Sequence, residues 1–367
     1  MINKKIDLIL LGAVILISLF GLLMIYSSSS IWAAYKYNDA FRYLKAQGLF
    51  LILSTILMIN VSKIAYKQYL NKANIILLVC FFLLILVLIP GIGTIRNGSR
   101  SWFAIGGFGI QPSEFAKLGL IIFTAKYLTK NEKLIKNIKK GVFPILGITL
   151  LFFGLIMLQP DFGTGVILVM SIIGLLYIAG IKFSFFTKLA IVGLVGMVGL
   201  IIAAPYRLQR IITFINPWAD PLGSGFQTIQ SLFAIGPGGL LGLGLGNSIQ
   251  KHFYLPEPQT DFIFSIIAEE LGFLGALTIG CLFILIIIRG YSIAMNMTDV
   301  FAKYLAFGIT FQVTFQAALN LMVVVGLVPV TGITLPFISY GGSSLLITLI
   351  AMGILLNISK YQENRLK

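Results

Sequence analysis

Ten runs of apolar residues, each close to the roughly 20 needed to cross a bilayer as a helix, leave this chain little choice of solvent. They fall near residues 6–27, 44–61, 73–90, 112–129, 141–158, 162–181, 184–203, 262–288, 303–327 and 338–358. Hydrophobic residues make up 58% of the chain and charged ones 11%, against about 25% charge in an average soluble domain. The expected fold is all-α: a polytopic integral membrane protein of about ten transmembrane helices, one domain over 1–367. A single long extracellular loop, 204–261, joins helices 7 and 8.

Charge sets the orientation. The formal net charge is +15, but Lys and Arg gather in alternate short loops, as the positive-inside tendency predicts. With the N-terminus inside, 18 of the 27 Lys and Arg lie on the inner side. Both termini are therefore expected in the cytoplasm and 204–261 outside. Nucleic-acid binding is not expected, because the basic residues form no patch interleaved with aromatics. Lys4 and Lys5 precede a run from Ile6 to Tyr26 that is too long for a signal h-region and has no small-residue cleavage site, so it reads as a retained first span. Cys80 and Cys281 sit inside apolar runs and His252 has no companion ligand, so neither a disulfide nor a protein-held metal is expected.

The connections are informative in turn. Gln159-Pro160-Asp161-Phe162-Gly163 is a tight turn between the fifth and sixth spans. Loop 204–261 is too long for a plain connection and too rich in Phe, Leu, Ile, Trp and Tyr for disorder. Within it, Ile229–Ile235 reads as a short amphipathic helix on the membrane surface. The glycine run at 236–246 reads as closely packed turns, not a phosphate loop, since it lacks the Gly-Lys-Ser/Thr ending.

Few polar groups remain to carry chemistry. Tyr254-Leu-Pro-Glu-Pro-Gln-Thr-Asp261 brings one carboxylate to the start of the eighth span, where it either caps the helix or works on a substrate. Thr260 could cap equally well. Glu269 and Glu270 lie roughly 12–14 Å farther along that helix, inside the span, where ionisable groups often mark a substrate or proton path. Gln111-Pro112-Ser113-Glu114 opens the fourth span with proline and an acid in the first turn. Glu114 and Lys117, three apart, either pair to steady the helix or meet a ligand. Arg100, Trp102, Arg207 and Arg210 are basic or aromatic residues on the outer side, where an anionic partner such as a diphosphate would explain them. Ser343 stands at the start of the last span, where small residues allow close packing and free N–H groups can meet an anion.

Several long motifs occur together and in order: Gln-Pro-Ser-Glu (111–114), Gln-Pro-Asp-Phe-Gly-Thr (159–164), Asn-Pro-Trp-Ala-Asp-Pro-Leu-Gly-Ser-Gly-Phe-Gln (216–227), the glycine run, Tyr-Leu-Pro-Glu-Pro-Gln-Thr-Asp-Phe-Ile-Phe (254–264) and Pro-Val-Thr-Gly-Ile-Thr-Leu-Pro-Phe-Ile-Ser-Tyr-Gly-Gly-Ser-Ser (329–344). Over nearly the whole chain they resemble the SEDS family (shape, elongation, division and sporulation), the FtsW/SpoVE branch more than RodA. The resemblance implies a ten-span peptidoglycan glycosyltransferase that polymerises lipid II on the outer face of the bacterial cytoplasmic membrane, with a class B penicillin-binding protein as partner. It places the family's catalytic aspartate on Asp261, its sensitive outer-loop residues on Arg100 and Trp102, and its Glu/Lys pair on Glu114 and Lys117. Gln259, Thr260, Arg207, Arg210 and Ser343 are the further candidate substrate contacts.

That reaction joins a GlcNAc 4-hydroxyl to a diphosphate-linked MurNAc carbon with inversion. It needs one base, not the acid–base pair of glycosidases, because diphosphate is already a good leaving group. Asp261 is the expected base. Arg100, Lys117, Arg207, Arg210 or a bound divalent ion (Mg or Mn) would offset the charge on the diphosphate. The rival class is a lipid II flippase, supported by Glu269 and Glu270, although transporters place their sites near the midplane between repeats.

Overall fold

Each apolar run is a helix in the computed structural model, which describes residues 5–96, 98–105, 108–135, 137–202, 208 and 212–362. These are α1 (Leu8–Tyr37), α2 (Arg42–Val61), α3 (Lys67–Leu86), α4 (Pro112–Lys130), α6 (Phe143–Met157), α7 (Phe162–Ile178), α8 (Phe183–Ile202), α10 (Ile263–Met295), α11 (Val300–Val324) and α12 (Gly342–Ser359). Two short helices, α5 (Glu132–Ile135) and α9 (Phe226–Ile235), lie in connections. Among the described residues seven spans are long and apolar enough to cross a membrane, counting Ile138–Met157 as one, while α7 and the Phe183–Gly196 part of α8 are shorter apolar helices. Helix α4 has the length, 19 residues, but carries Glu114, Lys117, Lys126 and Lys130. The chain is a multi-pass membrane protein.

Three of the scarce acids start helices. Asp7, Asp161 and Asp299 accept the N–H groups of Leu10, Thr164 and Ala302 at 2.9, 3.1 and 2.9 Å, each satisfying a donor that the first helical turn leaves open. None of the described α8 side chains is buried, so this helix offers its apolar surface to lipid.

The connections predicted to be inner and outer gather at opposite ends. At one end, Asp7 accepts from Arg289 Nε at 2.9 Å, its own N–H donates to Ser359, and Asn357 bonds Tyr66 N–H and Ser62 C=O at 2.9 and 2.8 Å. At the other end, residues 94–111, 159–161, 248–262 and 331–343 meet one another. Helices α1 and α10 run antiparallel between these ends, tied by Asp7–Arg289 at one and by Ser27–Glu270, 2.6 Å, at the other.

Three features depart from the sequence expectation. In a chain expected to be all-α, the connection before α4 holds a small antiparallel sheet, β1 (Thr94–Arg96), β2 (Ser99–Ile105) and β3 (Phe108–Ile110), in the order β1-β2-β3. Gly98, at φ +78°, supplies the turn conformation that β-carbon-bearing residues avoid. Helix α9 rests on protein rather than only on a membrane surface: Ile229, Ser231 and Ala234 are buried against α10 and α11.

The third departure matters most for the site. Helix α10, expected as one unbroken span, is broken at Gly272, whose φ of 63° and ψ of −160° are not helical. The break releases backbone groups on both sides, and the glycine run takes them. Leu243 and Gly244 donate to the carbonyls of Glu269 and Glu270, both at 2.9 Å, while Phe273 and Leu274 donate to Gly239 and Leu240 at 2.8 and 3.1 Å. The two backbones touch, since a Cβ on Gly272 would lie 2.4 Å from Gly242 N. Buried amides must be paired, and here the pairing needs glycine on both chains. That is why the run is glycine-rich.

Candidate active site

Asp261 does not cap α10. The helix begins at Ile263 with Phe262 at the N-cap position and no side-chain cap bond. The Thr260 hydroxyl is spent locally, 2.7 Å from the Glu257 carbonyl and 2.9 Å from Asp261 Oδ1. The backbone around Asp261 is held from two directions. Asn320 Nδ2 on α11 donates to the carbonyls of Asp261 and Ile333, both at 2.7 Å, and Tyr340 N–H donates to the Gln259 carbonyl at 2.8 Å. Phe262 is fully buried behind it, while Asp261 itself stays partly exposed. The carboxylate is thus presented from a fixed main chain.

One turn earlier on α11, Gln316 reaches the second element of the site. Its Oε1 accepts from Lys117 Nζ at 3.0 Å, and its Nε2 donates to the Thr334 carbonyl at 3.0 Å. Lys117 pairs with Glu114 at 2.9 Å, and the two side chains are 0% and 7% exposed. The three-residue spacing puts both on one face of α4. Burial at this level is costly for an ion pair unless further bonds support it, and Gln316 is that support. Glu114 and Lys117 therefore both steady the helix and stand within one α11 turn of the residue that holds Asp261.

Asp161 joins this cluster although its sequence position suggested only a turn. It caps α7 and accepts from Gln111 Nε2 at 2.9 Å. Burial pushes its carboxyl above the ordinary range, and the neighbouring Glu114 charge adds to that, against hydrogen bonds from Thr164. The signal for it was the repeated Gln-Pro step at 111–112 and 159–160: both helix starts meet at the same point.

The remaining predicted residues fall into different roles. Trp102 and Arg100 lie on β2, opposite Thr94 and Ile95; both are partly exposed, and the Arg96 guanidinium stands 5.4 Å from the Trp102 ring centre. Ser343 is buried, donates to the Gly109 carbonyl at 2.7 Å and accepts from Gln111 N–H at 3.1 Å. Its hydroxyl braces β3 against α12. Gln259 is also buried. Arg207 and Arg210 lie outside the described residues. No group of three or more acidic, histidine or cysteine side chains that could hold a metal stands among the described residues.

With this geometry in hand, comparison with known proteins gives one answer. Residues 7–364 match the family model for FtsW, RodA and SpoVE, described as cell cycle protein. The chain is 50% identical to stage V sporulation protein E of Bacillus subtilis over 97% of its length and 98% of that protein's. It is 41% identical to a probable peptidoglycan glycosyltransferase FtsW of Geobacter metallireducens, covering 97% of this chain and 95% of that one. Among solved structures, RodA of Thermus thermophilus superposes with a TM-score of 0.72 at 28% identity, over 98% of both chains. A chain from a peptidoglycan synthase complex superposes with a TM-score of 0.78 at 31% identity, over 98% of this chain and 99% of that one. This membrane protein belongs to the FtsW/RodA/SpoVE family, the SEDS family its motifs resemble.

Proposed function

We propose that the chain is a peptidoglycan glycosyltransferase that polymerises lipid II, with Asp261 as general base. The observation that carries this reading is the α11 relay: Asn320 holds the Asp261 backbone, and Gln316, one turn away, holds the buried Lys117–Glu114 pair. A proton acceptor and a cation are thus fixed on one rigid helix, which is the preorganisation that transition-state stabilisation requires. The GlcNAc 4-hydroxyl attacks the MurNAc anomeric carbon, the bond from that carbon to the diphosphate breaks with inversion, and the hydroxyl proton passes to Asp261. Lys117, whose side chain is 0% exposed and held by Glu114 and Gln316, offsets charge developing on the diphosphate through its field rather than by direct contact. Arg100 and Trp102 on β2, both partly exposed, are the further substrate contacts in this reading.

The proposed setting is the bacterial cytoplasmic membrane, with both termini inside and the site on the outer face, as the Lys and Arg distribution supports. A class B penicillin-binding protein is the proposed partner, in keeping with the likeness to a chain of a peptidoglycan synthase complex. The flippase reading rested on Glu269 and Glu270, and both carboxylates are engaged within the protein by Ser248 and by Ser27 and Lys251. The test is a reconstituted assay with purified protein, partner and lipid II. Glycan strands that vanish with Asp261→Asn support the enzyme; lipid movement without polymer would overturn it.

A further inference from the structure

Two carboxylates side by side in an apolar helix, with no part in the proposed chemistry, need another reason to be there. Glu269 accepts from Ile249 N–H at 2.8 Å, from Gln250 N–H at 3.4 Å, and from the Ser248 hydroxyl. Glu270 accepts from Ser27 at 2.6 Å, from Lys251 Nζ at 2.9 Å and from Ser248 N–H at 3.3 Å. Lys251 Nζ also donates to the Gly246 carbonyl. Every member is buried: Ser27 6%, Ser248 1%, Lys251 4%, Glu269 1% and Glu270 0% exposed. Buried charge of this kind persists only when each group is paired and hydrogen-bonded. Two carboxylates against one ammonium leave an excess negative charge, which the backbone N–H groups of 248–250 and two hydroxyls offset.

What these bonds grip is the near end of the segment that carries Asp261. Residues 248–251 are fixed on Glu269 and Glu270, and the chain then makes an excursion through 252–262 and re-enters the same half-helix at Ile263. The two attachment points are six to seven residues apart on α10, about 10 Å by helical rise. Between them lie Pro256 and Pro258 and two residues with positive φ, Phe253 at 67° and Glu257 at 45°. A loop closed on one short helix has few ways to move once both ends are held. Asn320 and Tyr340 fix the far end only. Within the loop Phe253 packs edge-on against Trp32 and Tyr35 and Leu255 is buried, so release of the near end would loosen the stem on which the Asp261 segment is set.

On the reading of Asp261 as the base, we propose that Glu269, Glu270 and Lys251 are positioning residues, a clamp at the stem of the 252–262 loop that sets where the Asp261 carboxylate stands. They touch no substrate and move no proton in the reaction. The misplacement of a catalytic group by about 1 Å can cost about 100-fold in rate, so the clamp acts on turnover, not on lipid II binding.

The experiment uses the full chain with its partner and compares Glu269→Ala, Glu269→Gln and the paired neutral change Lys251→Met with Glu270→Gln. Turnover and KM for lipid II are measured alongside amide hydrogen exchange of 252–262. Glu269→Ala is expected to lower kcat at least tenfold with KM within twofold, and to speed exchange in 252–262. Glu269→Gln, which keeps one acceptor oxygen, should recover most of the rate. The paired variant avoids a lone buried charge, so it reports even if single changes at Lys251 or Glu270 fail to fold. Wild-type kcat and unchanged exchange in folded Glu269→Ala and in the paired variant would overturn the clamp. If Asp261→Asn polymerises at the wild-type rate, the base reading is what fails; the exchange of 252–262 then still decides whether the loop is clamped there.

Discussion

Gln316 and Asn320 stand one turn apart on α11, and through them the buried Lys117 ammonium and the Asp261 main chain share a single support. The arrangement couples the Lys117 ammonium to the segment that carries Asp261. It also makes the two amides as sensitive to change as the charged groups they hold.

Asp261→Asn removes the proton acceptor while keeping size and the backbone bond to Asn320. A positioned general base contributes about 10²–10⁴-fold, so polymerisation of lipid II by the purified protein should fall by at least about 100-fold. The melting temperature should stay near wild type. A normal rate in a folded Asp261→Asn protein would remove the base assignment.

Lys117→Met strands Glu114 without its partner. Breaking a buried pair on one side costs about 3–5 kcal/mol, so thermal stability should drop sharply. Adding Glu114→Gln should restore much of the stability without restoring glycan synthesis, because the buried cation is still missing. Scanning calorimetry together with a polymerisation gel tells the two effects apart.

Asn320→Leu keeps the branched outline of the side chain but withdraws two donors, one from Asp261 and one from Ile333. Unpaired buried carbonyls cost about 1–3 kcal/mol each. The expected result is a folded, less stable protein with turnover lowered about tenfold or more. Unaltered kcat would show that the Asp261 backbone needs no such support.

Gly272→Ala asks for a backbone conformation, φ 63° with ψ −160°, that is essentially confined to glycine. The new Cβ would also strike Gly242 N. The glycine run should undock, exposing 238–246 to proteolysis and abolishing activity. A protease-resistant, active Gly272→Ala protein would contradict the backbone pairing.

The Asp161 carboxyl, raised above its ordinary value of 3.8 chiefly by burial, makes stability depend on pH in a definite sense. A folded-state value above the unfolded one means the folded protein holds the proton longer. The stabilisation from protonated Asp161 is full below the unfolded value and is lost as pH rises through the folded one. The melting temperature of wild type minus that of Asp161→Asn should therefore fall as pH rises above the ordinary value of 3.8. Taking the difference removes the other groups, which titrate in both proteins.

Much of the fold was legible because lipid permits few alternatives: a long, mostly apolar run has to become a helix, and all ten did. Glu114 and Lys117 were legible as neighbours from their spacing on α4. The break at Gly272 was not, since one glycine in an apolar run looks like any other and its partners lie some thirty residues back. Gln316 and Asn320 were passed over for a related reason: an amide in an apolar helix announces no partner. Asp161 read as a plain turn residue because the groups around it, Gln111 and Glu114, come from another helix start. The small sheet at 94–110 was lost among glycines. Local pattern reveals elements, whereas contacts between distant segments leave only their residue types.

The two ties between α1 and α10 have a further meaning. Ser27 and Asp7 are twenty residues apart on a continuous helix, about 30 Å by helical rise, and the hydrocarbon layer of a bilayer is about 30 Å thick. The polar knots at Ser27–Glu270 and Asp7–Arg289 thus bracket one membrane thickness. They hold α1 and α10 in register over that whole length, so a slide of one helix along the other by a single turn would break both knots at once.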